Sequence, residues 1–398
     1  MSGSLQIAAA TCNLLLGGAT TFLLNLTAGL RSMGVPLRIV GITNKNEHEA
    51  DFNNLHADLH VLQSRRKIYE DRLQWGYERI AEVQPNALLA CLGSESFEML
   101  RLAPPGTARI ALIQADSPEP YALAQNFSPW IDTLVGVSNT IRDRAKRLPE
   151  FAGKNVIAIP YGIDFSPRIG SRDARGGSPE LRVLYLGRLI EEQKRISRLA
   201  EVIRIADQKK MPMRFSIIGS GPDAQSFQEK IAPYSNVRMI PPVANRDVPG
   251  VFAEHDVFIL LSDYEGLPLS LLEAMGHGLV PVISDLPSGV RDVVTPDCGM
   301  LVPIGDIQAV LTALETLAAN HNLLASMASS AERTIRATYS AQAMASKYLD
   351  LITSLQPNCP RWPSRPTIPT PLGLSPLVYN GIGRVIRRFA KRFVPART

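Results

Sequence analysis

Two carboxylates eight residues apart, Glu265 and Glu273, enclose Gly266-Leu267-Pro268 in the run Ser262-Asp-Tyr-Glu-Gly-Leu-Pro-Leu-Ser-Leu-Leu-Glu273. Proline favours the first position of a helix, so the spacing predicts a helix opening at Pro268. Glu265 then sits in the loop before it and Glu273 in its second turn. A helix start offers free backbone N–H groups and the positive end of the helix dipole, a setting suited to an anion. At about 1.5 Å rise per residue the two carboxylates lie on the order of 10 Å apart. That is the scale of a hexose joined through a diphosphate to a ribose.

Two cations fall nearby in the same half of the chain. Leu186-Gly187-Arg188-Leu189 ends an apolar run and Lys194 follows it. Residues leaving a strand's carboxyl end line the ligand crevice of an open α/β sheet. Arg188 can pair two phosphate oxygens and Lys194 can act as a point charge. Gly219, in Ile218-Gly-Ser-Gly-Pro222, marks a tight strand-to-helix turn, and the third glycine of a dinucleotide fingerprint is missing. Near the start of the chain, Gly17-Gly18 permits close backbone approach to a phosphate.

The elements that must position these residues are legible as an alternation. Leu5–Thr11, 37–42, 87–92, 109–114, 133–137 and 156–159 read as strands, with helical spacing at 20–33, 68–82 and 139–147. After the polar Gly/Ser/Pro stretch 171–179 the pattern restarts, with strands at 181–186, 214–218, 237–240, 257–261 and 280–284. Helices are expected at 196–209, 222–231, 268–276, 307–319 and 340–355. Alternation of this kind implies parallel βαβ units. The expected organisation is an α/β chain with two doubly wound, Rossmann-like domains. Residues 1–170 form the first, 171–180 a linker, 181–339 the second, 340–355 a helix crossing between them, and 356–398 a tail.

Composition sets the outer limits. The chain has 398 residues, 45% hydrophobic and 20% charged, with four cysteines and none in a metal-ligand or CxxC spacing. A disulfide framework is therefore not expected, and a reducing, cytoplasmic setting is. Net charge is +5, from 42 basic and 37 acidic residues. Residues 351–398 hold eight basic and no acidic residues, which leaves 34 basic and 37 acidic, or −3, for residues 1–350. A body of that charge does not suggest nucleic-acid binding; the excess sits in the tail. Residues 4–30 are uncharged but broken by Gln6, Asn13, Gly17-Gly18 and Asn25, a poor membrane span. No basic residue precedes them, so no signal-peptide n-region is expected. In the tail, seven prolines between 357 and 376 precede a basic amphipathic pattern across 380–393, which suits an anionic membrane surface.

Taken in order, Gly17-Gly18-Ala19, Val137-Ser138, Ile159-Pro-Tyr-Gly-Ile-Asp164, Gly187-Arg188-Leu189 with Lys194, Ile218–Pro222 and Glu265–Glu273 resemble glycosyltransferase family 4. The resemblance runs from about residue 5 to 355 and is most specific in the second half. It implies a GT-B fold, two Rossmann-like domains facing each other across a cleft. It also implies a retaining enzyme that moves a hexose-type sugar from a nucleotide diphosphate sugar to a glycan, lipid-linked or small-molecule acceptor. Cell-envelope or exopolysaccharide synthesis is the expected setting.

By the same resemblance Arg188, Lys194 and Glu265 would be catalytic. Arg188 and Lys194 would hold the diphosphate, and Glu265 with the Gly266, Leu267 and Pro268 backbone the donor sugar. Glu273 would bind the ribose, Gly219 lie near the nucleoside, and Gly17 and Gly18 approach the diphosphate from the facing domain. No cofactor or metal is expected beyond the nucleotide-sugar co-substrate, and the chain contains no DxD motif.

Two departures stand out. Gln114 occupies the place where many relatives carry a histidine; it can hydrogen-bond a hydroxyl but not act as acid or base. Lys194 lies one residue further from Gly187 than is commonest, so Arg195 competes for its place. A non-catalytic nucleotide- or sugar-binding scaffold is the alternative reading, with a nucleotide-sugar hydrolase or epimerase behind it.

Overall fold

The computed structural model describes residues 5–15, 17–43, 49–63, 69–165 and 180–355. The linker residues 171–179 and the tail 356–398, including the basic amphipathic pattern, lie outside the described residues.

Seven strands make the first sheet: β1 (Ile7–Thr11), β2 (Leu37–Gly41), β3 (Asp58–Val61), β4 (Ala87–Leu92), β5 (Ala108–Ile113), β6 (Thr133–Gly136) and β7 (Asn155–Ala158). Their order is β3-β2-β1-β4-β5-β6-β7, and every pairing is parallel. Six make the second: β8 (Leu181–Leu186), β9 (Met213–Ile218), β10 (Val237–Ile240), β11 (Val257–Leu260), β12 (Val280–Ser284) and β13 (Met300–Val302). Their order is β10-β9-β8-β11-β12-β13, again all parallel. Central strands such as β1, β5 and β11 are buried along their whole length, as expected where helices cover both faces of a parallel sheet.

Each sheet reverses its winding once, between β1 and β4 in the first and between β8 and β11 in the second. The crevice outside the carboxyl ends of strands at such a reversal is where open α/β sheets take ligands. Matching ion pairs fix the opposite, amino-terminal edges. Arg109 at the start of β5 forks onto Asp132 before β6, and Arg182 at the start of β8 forks onto Asp256 before β11. In each pair the carboxylate also accepts from the arginine's own backbone N–H, which holds neighbouring strand starts in register.

The helix Ala341–Ser354 follows the second sheet in sequence but returns to the first unit. It packs on the helix Gly18–Ser32 so closely that a Cβ at Gly29 would lie 2.3 Å from the Ala341 carbonyl oxygen. Ser340 bridges Ile163 in parallel, tying the chain's return to the segment that leaves the first sheet. Features absent from the expected pattern include the edge strands β3 and β13, short helices such as Ser94–Leu102 and Pro118–Asn126, and the helix His321–Thr338, which buries Leu324, Met327, Ala331 and Ile335.

Candidate functional site

The carboxyl ends of the two sheets face each other, and several contacts cross between them. A Cβ added to Gly266 would fall 2.4 Å from the Gln114 carbonyl oxygen, so only glycine fits at this crossing. Gly18 lies against Leu269, and the Asn139 N–H donates to Asp292 Oδ2 at 3.1 Å. Gly289 N–H donates to the Gly266 carbonyl at 2.9 Å, and a Cβ on Gly289 would crowd Ser138. The loop after β11 thus abuts the loop after β5, and both border one crevice.

Glu265 is buried at the heart of this loop. Its Oε1 accepts from Lys194 Nζ and from Ser262 Oγ, both at 2.6 Å. Its Oε2 has one long bond, 3.3 Å, from Gln193 Nε2, and so keeps acceptor capacity. Lys194 ends the single helical turn Glu191–Lys194 that follows β8. Arg195, expected to compete for its place, turns away and pairs with Asp263 at 2.5 Å. Arg188, between β8 and this turn, is exposed and makes no ion pair or side-chain hydrogen bond among the described residues. Its backbone is fixed by Tyr185, whose hydroxyl donates to the Arg188 carbonyl at 2.7 Å. Beside it runs the Gly219 turn: a Cβ at Gly219 would lie 1.9 Å from the Gly187 carbonyl oxygen. Gly219 therefore shapes the Arg188 turn directly.

The helix after the loop is Leu269–Gly276, so Pro268 occupies the flanking N-cap position, one residue earlier in the helix frame than its expected first-turn place. Its ψ of 120° is extended, and its carbonyl already accepts from Leu271 and Leu272. The N–H groups of Gly266, Leu267, Leu269 and Ser270 have no acceptor among the described residues. They form the free donor set of a helix start at the crevice.

Glu273 sits in the second turn of this helix. No donor or cation among the described residues reaches its side chain, and burial pushes its carboxyl up to about 7. From the facing unit, Gln114 directs a buried Nε2 that has no partner among the described residues. A buried unsatisfied donor is costly, and this one belongs to the residue whose backbone abuts Gly266. Gly17, before the helix Gly18–Ser32, faces open space: a Cβ there would meet nothing within 4 Å. His255 and His277 each bond a backbone carbonyl four residues earlier through Nδ1, a structural role.

Sequence reasoning missed Gln193, Ser262, Asp263 and Arg198, all of which brace the Lys194–Glu265 pair or its loops. Ser262, three residues before Glu265, was the one local signal; the others lie 63–72 residues from their partners in sequence.

Residues 180–320, the second unit, match the family described as Glycosyl transferases group 1. Over 159 residues the chain is 31% identical to the putative colanic acid biosynthesis glycosyltransferase WcaL of Escherichia coli, covering 37% of this chain and 38% of that protein. Over 196 residues it is 28% identical to the phosphatidyl-myo-inositol mannosyltransferase of Mycobacterium leprae, covering 48% and 52%. The chain thus spans about two fifths to one half of these relatives' lengths. The fold is that of GT-B glycosyltransferases. Staphylococcus aureus TarM, solved with UDP, superposes with a TM-score of 0.73 at 14% identity, covering 88% of this chain and all of that one. Anabaena HepE, solved with UDP-glucose, gives 0.73 at 16% identity with the same coverage.

Proposed function

We propose that the chain is a retaining glycosyltransferase. It would transfer a hexose-type sugar from a nucleotide diphosphate sugar to a glycan, lipid-linked or small-molecule acceptor in cell-envelope or polysaccharide synthesis. The observation that carries the reading is the Lys194–Glu265 pair, 2.6 Å apart at the winding reversal of the second sheet and next to a free helix start. The names of the relatives, several of them envelope or polysaccharide glycosyltransferases, support the setting.

In this reading the diphosphate lies between Arg188, Lys194 and the N–H groups of Gly266, Leu267, Leu269 and Ser270. Negative charge grows on the leaving phosphate as the glycosidic bond breaks, and fixed cations and dipoles lower the energy of that state. No metal is required by this arrangement. Glu265 Oε2 accepts from a sugar hydroxyl, Glu273 from the ribose hydroxyls, and Gln114 Nε2 donates to a sugar or phosphate oxygen. Retention follows if the acceptor oxygen attacks the anomeric carbon on the face the diphosphate leaves. The acceptor proton then passes to the departing phosphate oxygen, so that charge and atoms balance.

The test is release of free nucleoside diphosphate from a panel of UDP-, GDP- and ADP-sugars, with a mixed pool of glycan and lipid-linked acceptors. Acceptor-dependent release with one donor supports the reading. Tight donor binding with no release from any donor makes the protein a nucleotide-sugar-binding scaffold instead. No helix among the described residues is long and apolar enough to cross a membrane. The pattern of residues 380–393 supports peripheral attachment to the inner face of a membrane. Co-sedimentation of the full chain, but not of one ending at 355, with anionic liposomes is the matching test.

A further inference from the structure

Lys194 and Glu265 belong to two loops that leave adjacent parallel strands, β8 and β11. Neither loop is stiff alone. Lys194 closes a single four-residue turn, too short to hold itself in water. The chain then reverses at Arg195 with φ 47° and ψ 51°, a left-handed conformation that costs a residue with a side chain on the order of 1 kcal/mol.

One residue stitches the two loops together. The backbone N–H of Asp263 donates to the Gln193 carbonyl at 2.9 Å. Its carboxylate accepts a hydrogen bond from Arg195 Nε on Oδ2 and stands in ion-pair contact with Arg198 Nη1 through Oδ1, each at 2.5 Å. Arg198 Nη1 also donates to the Leu261 carbonyl at 3.0 Å. In return Gln193 Nε2 donates to the Tyr264 carbonyl at 3.1 Å. Asp263 therefore grips the chain on both sides of Lys194 and sits two residues before Glu265. Two arginines on one partly buried carboxylate form a network, which outlasts the screening that weakens isolated surface pairs.

We propose that Asp263, through Arg195 and Arg198, is a positioning residue that sets Lys194 against Glu265 and the donor diphosphate. The catalytic consequence rests on the donor-site reading above; the positioning itself does not. A misplacement of about 1 Å at such a group can cost about a hundredfold in rate. The loss falls on kcat rather than KM if Lys194 acts mainly on charge that develops as the diphosphate leaves.

The experiment uses the full chain. Lys194 is labelled with trace acetic anhydride and read by mass spectrometry against exposed Lys209, Lys210 and Lys230 as internal standards. In Asp263→Ala, Lys194 labelling is expected to rise about fivefold or more relative to those standards, as a local opening does. The melting temperature should stay within a few degrees of the parent. Arg195→Gly separates the clamp from the turn. Glycine makes the left-handed turn easier, so increased Lys194 labelling there as well supports the ion pair as the holding device. Unchanged Lys194 labelling in Asp263→Ala overturns the proposal. So does a uniform rise at every lysine with a collapsed melting temperature, since that is unfolding. In the same variants kcat for nucleotide-sugar turnover should drop at least about tenfold with donor KM little changed. A selective labelling change in a chain whose parent neither binds nor turns over a nucleotide sugar leaves the positioning standing and removes the donor reading.

Discussion

The two faces of the crevice are built differently. The second sheet's edge is wired: Lys194, Glu265, Ser262, Gln193, Asp263, Arg195 and Arg198 are joined by hydrogen bonds and ion pairs at 2.5–3.3 Å. The first sheet's edge offers Gly17 before open space and the orphaned amide of Gln114. In the proposed reading the wired half binds the diphosphate and gains from preorganised charge, because no reorganisation is then needed during reaction. The first sheet's edge has its own pairs, Arg72 with Glu95 and Arg144 with Asp116, but neither touches Gly17 or Gln114, the groups the proposed reading gives to the ligand. The contrast says where substitution should be ruinous and where it should be mild.

The largest effect is expected at Glu265. Glu265→Ala strands the partly buried Lys194 charge and removes the sugar contact, so turnover should fall about a hundredfold or more and stability by up to about 3 kcal/mol. Donor kinetics and thermal melts measure both; an intact rate would mean the wired edge is scaffolding. Arg188→Ala comes next. Arg188 is exposed and unpaired among the described residues, so kcat/KM should drop roughly tenfold to a hundredfold with no change in melting temperature. Gly266→Ala would drive a methyl group into the Gln114 backbone, a clash that costs about 1–3 kcal/mol. It should lower the melting temperature and cut the rate about tenfold by forcing the two edges apart.

A milder, pH-dependent effect is expected at Glu273. Burial raises its folded-state pKa to about 7, above the ordinary carboxyl value, so the folded protein holds a proton that the unfolded chain has lost. Its contribution to stability is therefore gained as pH falls from about 7 towards the ordinary carboxyl range, and is absent above 7. Melting curves of the parent and Glu273→Gln should differ more at pH 8 than at pH 5, with the variant higher. If the ionised carboxylate takes the ribose hydroxyls, donor KM should rise several-fold between pH 8 and pH 6 in the parent and stay flat in the variant. The smallest effect is expected at Gln114. Gln114→Ala removes an unsatisfied buried donor, so the ligand-free protein should be no less stable, while donor KM rises only a few-fold. A large loss of stability there would show that the amide serves the fold.

The same contrast explains what the sequence made legible. The Glu265–Glu273 run could be read because its chemistry is contiguous and its helix start is marked by Pro268. Pro268 fell one position off because proline suits both the first turn and its flank, and ψ decides between them. The Asp263–Arg195–Arg198 clamp stayed hidden. Its charges look like solvated surface, and its partners stand 68 residues apart until β8 and β11 pair. Lys194 rather than Arg195 meets Glu265 because the left-handed turn at Arg195 redirects the chain, a conformation no spacing rule reveals. Strand β3, Asp58-Leu-His-Val, was missed because an edge strand keeps polar residues and lacks the apolar run of a central one. The helix His321–Thr338 does carry a helical signal in its sequence, the spacing of Leu324, Met327, Ala328 and Ala331.

The central claim is that the wired edge and Arg188 together grasp an activated sugar's diphosphate. The most direct measurement is a thermal-shift titration of the parent and of Arg188→Ala with UDP-, GDP- and ADP-sugars. A ligand at about a hundred times its Kd stabilises the folded state by about 2.7 kcal/mol, a shift of a few degrees. The account predicts such a shift in the parent for donors of one base, and a much smaller one in Arg188→Ala at the same concentration. Equal shifts in both proteins, or none in the parent at millimolar donor, would contradict it.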